Sequence, residues 1–149
     1  MATERLSQLQ KVILLTAGEY LREWGGDVVI YNRLNRMIAR RANLIHERSR
    51  WLLPRFLSAV SRSVRNLEKK GLITLAHKHD CIFTLRPSPV LKSLALTRKG
   101  KKILRKLQAG TELNELPWVK RNREKGIERR KGIMKFERQL AELGIRLPR

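Results

Sequence analysis

Cysteine, aromatic residues and acids are the scarce components of this sequence. A single cysteine, Cys81, among 149 residues leaves no intramolecular disulfide and suits a reducing compartment. Aromatic residues make up 5%, and most sit at positions expected to face a core, which argues against the stacking platforms that RNA readers present. Acids number 13 against 34 for lysine plus arginine, and the only aspartates are Asp27 and Asp80. No carboxylates therefore group as the ion-holding set of a metal-dependent nuclease or polymerase. There is no glycine-rich phosphate loop, no Gly-x-Ser-x-Gly elbow and no cysteine–histidine frame. The chain is accordingly expected not to be an enzyme, and no cofactor is expected. No apolar run reaches the roughly 18 residues of a membrane span. The N-terminus MATERLSQLQ is too polar and acidic for a signal peptide. A cytoplasmic protein with no membrane partner is expected.

What is present is a basic globular chain. Its length suits about one domain, and a hydrophobic fraction of 42% is enough for a modest core. The formal net charge of +21 exceeds what solubility needs and points to a polyanion, with nucleic acid the expected partner.

Residues 4–24 read as a helix, with Leu6, Leu9, Ile13, Ala17, Tyr20, Leu21 and Trp24 recurring at steps of three and four and Gly25-Gly26 ending the pattern. Val12-Ile13-Leu14-Leu15 is apolar nearly all round. Either this helix is central to the core, or its second face, with Leu14 and Leu15, meets a second subunit. Val28-Val29-Ile30 suits a short strand or the start of a helix running from Ile30 to Arg41. Leu44–Leu53 is expected to hold another turn or two of helix.

The most informative run is Ser58–Leu72. Val60, Val64 and Leu67 fall in one sector of a helical wheel, and Ser58, Arg62, Arg65 and Lys69 lie nearly opposite. Ser58 is placed to cap the helix and Gly71 to stop it. Leu72–Leu75 and Ile82–Leu85 read as two strands joined by the polar turn His77-Lys78-His79-Asp80. Arg86-Pro87-Ser88-Pro89 breaks the second, Lys92–Leu96 is a third short strand, and Thr97 caps a further helix. That order is the order of a winged helix-turn-helix. The fold class expected is mainly α with a small β-wing (α+β), a winged helix-turn-helix with N- and C-terminal flanking helices.

The run SAVSRSVRNLEKKGLI, followed by a hairpin and then LTRKGKKIL, resembles the recognition helix, wing and post-wing helix of MarR-type regulators across residues 55–107. A longer stretch before Ser58 and a basic tail depart from that family. The tail also suits a dimeric plan resembling MerR-type regulators, with an N-terminal reading head and a C-terminal pairing helix. Three regions follow: 1–26, an N-terminal helix; 27–110, a winged helix-turn-helix; and 111–149, a basic C-terminal helix serving dimerisation.

On this plan Arg62 and Arg65 reach base edges, where an arginine gives about 1–3 kcal/mol of discrimination at guanine. Ser58 and Ser61 contact phosphate or base near the start of the helix. Arg55, Lys69, Arg86, Lys92, Lys101 and Lys102 meet the backbone, and His77, Lys78 and His79 form the wing tip. On a strand His77, His79 and Cys81 share one face and could hold an ion, but the crowding and the intervening Lys78 favour a plain wing tip, and no metal is expected.

From Thr111 onward, Trp118–Leu143 reads mostly as helix, basic in its first half. Its second half carries Ile133, Phe136, Leu140 and Leu143, spaced 3, 4 and 3, a coiled-coil-like seam too short to stand alone. It must dock on its own domain or pair with a second copy. Gly126 and Gly132 weaken the helix by roughly 1 kcal/mol each, so a kink is admissible. The function expected is a homodimeric, sequence-specific regulator of transcription that binds double-stranded DNA at the nucleoid, a repressor acting by promoter occlusion. A replication-initiator or recombination accessory protein and a basic RNA-binding protein are the alternatives.

Overall fold

The computed structural model describes residues 5–44, 54–78 and 90–145, without the side chains of residues 77, 78 and 90. It is mainly helical with a small antiparallel sheet. In chain order the described elements are α1 (Gln8–Trp24), β1 (Val28–Ile30), α2 (Tyr31–Arg41), α3 (Pro54–Lys69), β2 (Ile73–Lys78), β3 (Val90–Leu96), α4 (Arg98–Gly110), a 3-10 turn at Leu113–Glu115, and α5 (Pro117–Glu142). Among these residues no helix is long and apolar enough to cross a membrane.

Helix α1 starts at Gln8, later than its apolar periodicity suggests, because Ser7 and Gln10 form a reciprocal cap. The Gln10 amide donates to Ser7 Oγ at 3.2 Å, and the Ser7 amide donates to Gln10 Oε1 at 2.9 Å. The helix then runs through the middle of the core and packs against α2, α3, α4 and α5. Val12, Ile13, Leu14 and Leu15 are all buried within the chain itself. Its nearly all-round apolar surface is the signature of a central helix, and Leu14 and Leu15 offer no face to a second subunit. The expectation that they serve dimerisation is therefore corrected. A second apolar face can be covered by the same chain as readily as by another.

Val28–Ile30 is a strand, and helix α2 begins one residue later. The sheet has the order β1-β3-β2, with Val29 facing Leu94 and Ile73 facing Leu96. The partner of β2 in the hairpin is thus β3. Ile82–Leu85, expected as the return strand, lies outside the described residues, as do His79, Cys81, Arg86 and most of the Leu44–Leu53 stretch. β3 itself begins at Val90, two residues before the expected start. A register shift between Ala76 and His77 leaves Lys92 as the extra residue of a bulge on β3.

Three local features lock α3 and α4 to the sheet. Helix α3 ends in a left-handed residue, Gly71 at φ 75°, whose amide donates to Glu68 O while the Leu72 amide reaches Leu67 O. Thr97 caps α4 by accepting from the Gly100 amide at 3.0 Å, and its hydroxyl donates to Gly71 O at 2.6 Å. Gly100 passes so close to the Leu72 carbonyl that a Cβ there would sit 2.0 Å from its oxygen. The sequence pattern of a glycine stop, two strands, then Thr-x-x-Gly is therefore one joint, closed by two backbone approaches.

Helix α5 is continuous for 26 residues, and neither Gly126 nor Gly132 interrupts it. Gly126 has a different task. Two residues beyond α2, Asn43 has φ 55°, a conformation asparagine tolerates, and α5 crosses at that point. A Cβ on Gly126 would lie 2.6 Å from Asn43 Cβ, and Arg129 donates to Asn43 O at 3.0 Å. Trp118 packs beside Phe56 of α3, with ring centroids 6.3 Å apart. The close approach outweighs the helix propensity lost at this glycine.

Candidate nucleic-acid interface

Helix α3 buries Phe56, Val60, Val64 and Leu67 and exposes Arg55, Ser58, Arg62, Arg65 and Lys69 on the opposite side. These five form one stripe along the helix, with no acid among them. The helix begins at Pro54, a residue suited to a first helical turn, so Ser58 lies inside the helix and is not its cap. It keeps its place on the outward face, but its backbone amide is no longer one of those a helix start offers to an anion. Glu68 is exposed at the margin of the stripe.

Ser61 is half-buried, and the reason lies on α2. The hydroxyl of Tyr31, at the start of α2, lies beside the Asn35 and Ser61 side chains and within range of the Arg65 charge. Burial pushes the Tyr31 phenol above its ordinary value, partly offset by the polar side chains of Asn35 and Ser61 and by the Arg65 cation. Ser61 thus lies against the start of α2, which borders the side of the stripe that carries Arg65.

Sequence reasoning missed a second cationic row. Helix α2 contains no acid, and its outward positions are Arg33, Arg36 and Arg40, all exposed, between the buried Leu34 and Ile38. The steps of three and four residues between these arginines were the available signal. Arg33 lies over the Trp24 ring at 5.0 Å from its centroid. Trp24 is 59% exposed and stacks on Tyr20, so it is not the core residue its spacing suggested. Arg41, in contrast, is spent within the fold, donating to Glu19 at 2.6 Å and to Asn114 at 2.7 Å.

Lys101 and Lys102 are exposed on α4, together with Arg98, Lys99, Arg105 and Lys106. This helix packs on α1 and β3. Lys99 Nζ also donates to Lys70 O at the end of α3. Lys92 is exposed on the β3 bulge. His77 and Lys78 lie in β2, with side chains outside the described set, and His79 and Arg86 fall outside it entirely. Among the described residues no group of three or more His, Cys, Asp or Glu could hold a metal ion; the cluster His77, His79 and Cys81 is outside them.

The C-terminal seam is brought together on one helix but left uncovered among the described residues. Ile133, Phe136 and Leu143 are exposed, Phe136 to 54% and Leu143 to 74%, and Leu140 is only half-buried. No known protein family, curated protein sequence or solved structure matches the chain.

Proposed function

We propose that the chain is a winged helix-turn-helix protein that binds double-stranded DNA, with α3 as the helix entering the major groove. The observation that carries this is the α3 stripe: an acid-free row of Arg55, Ser58, Arg62, Arg65 and Lys69, exposed on a helix whose other face is core. The element order supports it. A helix, a short strand, two helices and an antiparallel pair, with the first strand added to the outer edge of the pair, is the arrangement a winged helix uses to present its third helix.

In this assignment Arg62 and Arg65 donate to base edges, each worth about 1–3 kcal/mol of discrimination. Arg33, Arg36 and Arg40 on α2 meet phosphates beside the groove, and the hairpin from β2 to β3 acts as the wing. Lys101 and Lys102 add affinity without sequence preference. The biological role that suits a small binding protein of this kind is regulation of transcription, by repression through occupancy of a promoter.

Fluorescence anisotropy tests the proposal, using DNA from the region upstream of the protein's own gene and a scrambled duplex of equal length. A preference for the upstream DNA of about 10³ or more establishes specific readout and autoregulation. Arg62→Ala and Arg65→Ala are each expected to lower that preference while leaving affinity for the scrambled duplex nearly unchanged. Lys101→Ala combined with Lys102→Ala is expected to weaken both and to reduce the log–log salt slope by about 0.9 for each phosphate no longer neutralised. Equal loss of specific and nonspecific binding in the arginine variants would remove α3 from the groove.

A further inference from the structure

Helix α5 outruns the core on which it docks. In its first half Val119, Gly126 and Arg129 point toward the rest of the chain: Val119 is buried, Gly126 meets Asn43, and Arg129 bonds Asn43 O. At 100° per residue, Ile133, Phe136, Leu140 and Leu143 continue that same side of the helix, all within a sector about 120° wide. The core stops near Arg129, and the remaining thirteen residues of helix project for about 20 Å with their apolar stripe uncovered among the described residues. A projecting segment of this length has little helical stability of its own without a partner beneath it.

Charge narrows the choice of partner. Residues 117–132 carry seven bases and two acids, whereas residues 133–145 carry Lys135 and Arg138 against Glu137 and Glu142. In a chain of net charge +21 this is a locally neutral, apolar surface. It has no excess of cations to attract nucleic acid or an acidic protein, and it is a place where a second equally basic chain can come close without strong repulsion. The spacing of 3, 4 and 3 is self-complementary, since helices with such stripes interdigitate when paired.

We propose that residues 133–143 of α5 pair with the same segment of a second copy, the two helices antiparallel. The direction follows from the fold. The chain's own core occupies the seam side up to Arg129, so a parallel partner would run into it. An antiparallel partner, with Phe136 opposite Leu140 and Ile133 opposite Leu143, brings its residue 145 only to about the level of residue 131, where the seam side is open among the described residues. The two docking points at Gly126 are then about 36 Å apart along the paired helices. The pairing does not depend on whether the α3 stripe binds DNA.

Sedimentation equilibrium of the full chain without nucleic acid is the test, so its outcome is separate from that of DNA binding. At about 50 µM the expected mass is twice 17.4 kDa, and Phe136→Glu combined with Leu140→Glu is expected to return it to that of one chain. A wild-type protein that remains a single chain, its seam covered by its own residues or by nothing, overturns the proposal, as does a double variant that is still a dimer. Because charged substitutions can unfold a helix, direction and contact are read separately by cross-linking in a Cys81→Ser background. Copies carrying Phe136→Cys mixed with copies carrying Leu140→Cys are expected to oxidise to the mixed dimer. Self-linking of Phe136→Cys alone would show parallel helices and overturn the arrangement.

Discussion

Helix α1 and the outer half of α5 carry concentrated apolar side chains and use them in opposite ways. Helix α1 is enclosed by four other helices, and Val12, Ile13 and Leu14 have no exposed surface at all. The outer half of α5 leaves its apolar stripe largely uncovered among the described residues, and Phe136 keeps more than half its surface in solvent. Apolar content alone does not place a helix inside a domain. What decides is whether other elements of the chain reach its level. Helix α1 lies where α2, α3 and α4 converge, whereas α5 leaves the convergence at Asn43 and keeps going.

This contrast can be broken most decisively by truncating the enclosed helix. Leu14→Ala leaves a cavity among packed side chains and is expected to cost about 2–5 kcal/mol in urea unfolding. Ile133→Ala, in contrast, should change unfolding at concentrations where the chain is monomeric by less than about 0.5 kcal/mol. Similar losses for the two would mean that the outer half of α5 is also packed.

The two glycines of α5 sharpen the comparison next. Gly126→Ala gains helix propensity but forces a Cβ into Asn43, so a net loss of about 1–3 kcal/mol is expected by thermal unfolding. Gly132→Ala meets nothing within 4 Å and should stabilise by up to about 1 kcal/mol. Gains at both positions would show that α5 does not dock at Asn43.

The smallest effect concerns the enclosed side of the interface. The folded state holds the Tyr31 phenol above its ordinary value, chiefly by burial. The stability contributed by the neutral phenol is therefore fully present below about pH 10 and declines as the pH rises through the folded value. Tyr31→Phe should flatten the alkaline limb of the stability curve relative to wild type. An alkaline limb unchanged by the substitution would show that Tyr31 is not shielded by the contact between α2 and α3.

Much of the fold is legible in the sequence because its signals are local. The 3.6-residue period of α3, the glycine stop at Gly71 and the Thr97 cap each depend on a few neighbouring residues. So does the outward stripe of Arg62, Arg65 and Lys69. The start of α3 is not legible in the same way, because Pro54 suits either a break or a first turn and nothing nearby decides between them. Arg36 and Arg40 have a visible spacing, but α2 is short and its arginines mark an outward face only once Leu34 and Ile38 are known to be buried. Ser61 has the sequence signature of a contact residue, yet it is half-buried beside Tyr31, thirty positions earlier.

The sequence by itself determined the charge, the helical periods, the stop and cap that bound the hairpin, and the cationic face of α3. These follow from composition and from the preferences of residues a few positions apart. Only the tertiary structure decided that Leu14 and Leu15 are core, that Gly126 is a contact and not a weakness, and that the seam of α5 lies beyond the core. Each of those depends on which distant segment arrives at the same place, and burial is a property of that meeting, not of the residue.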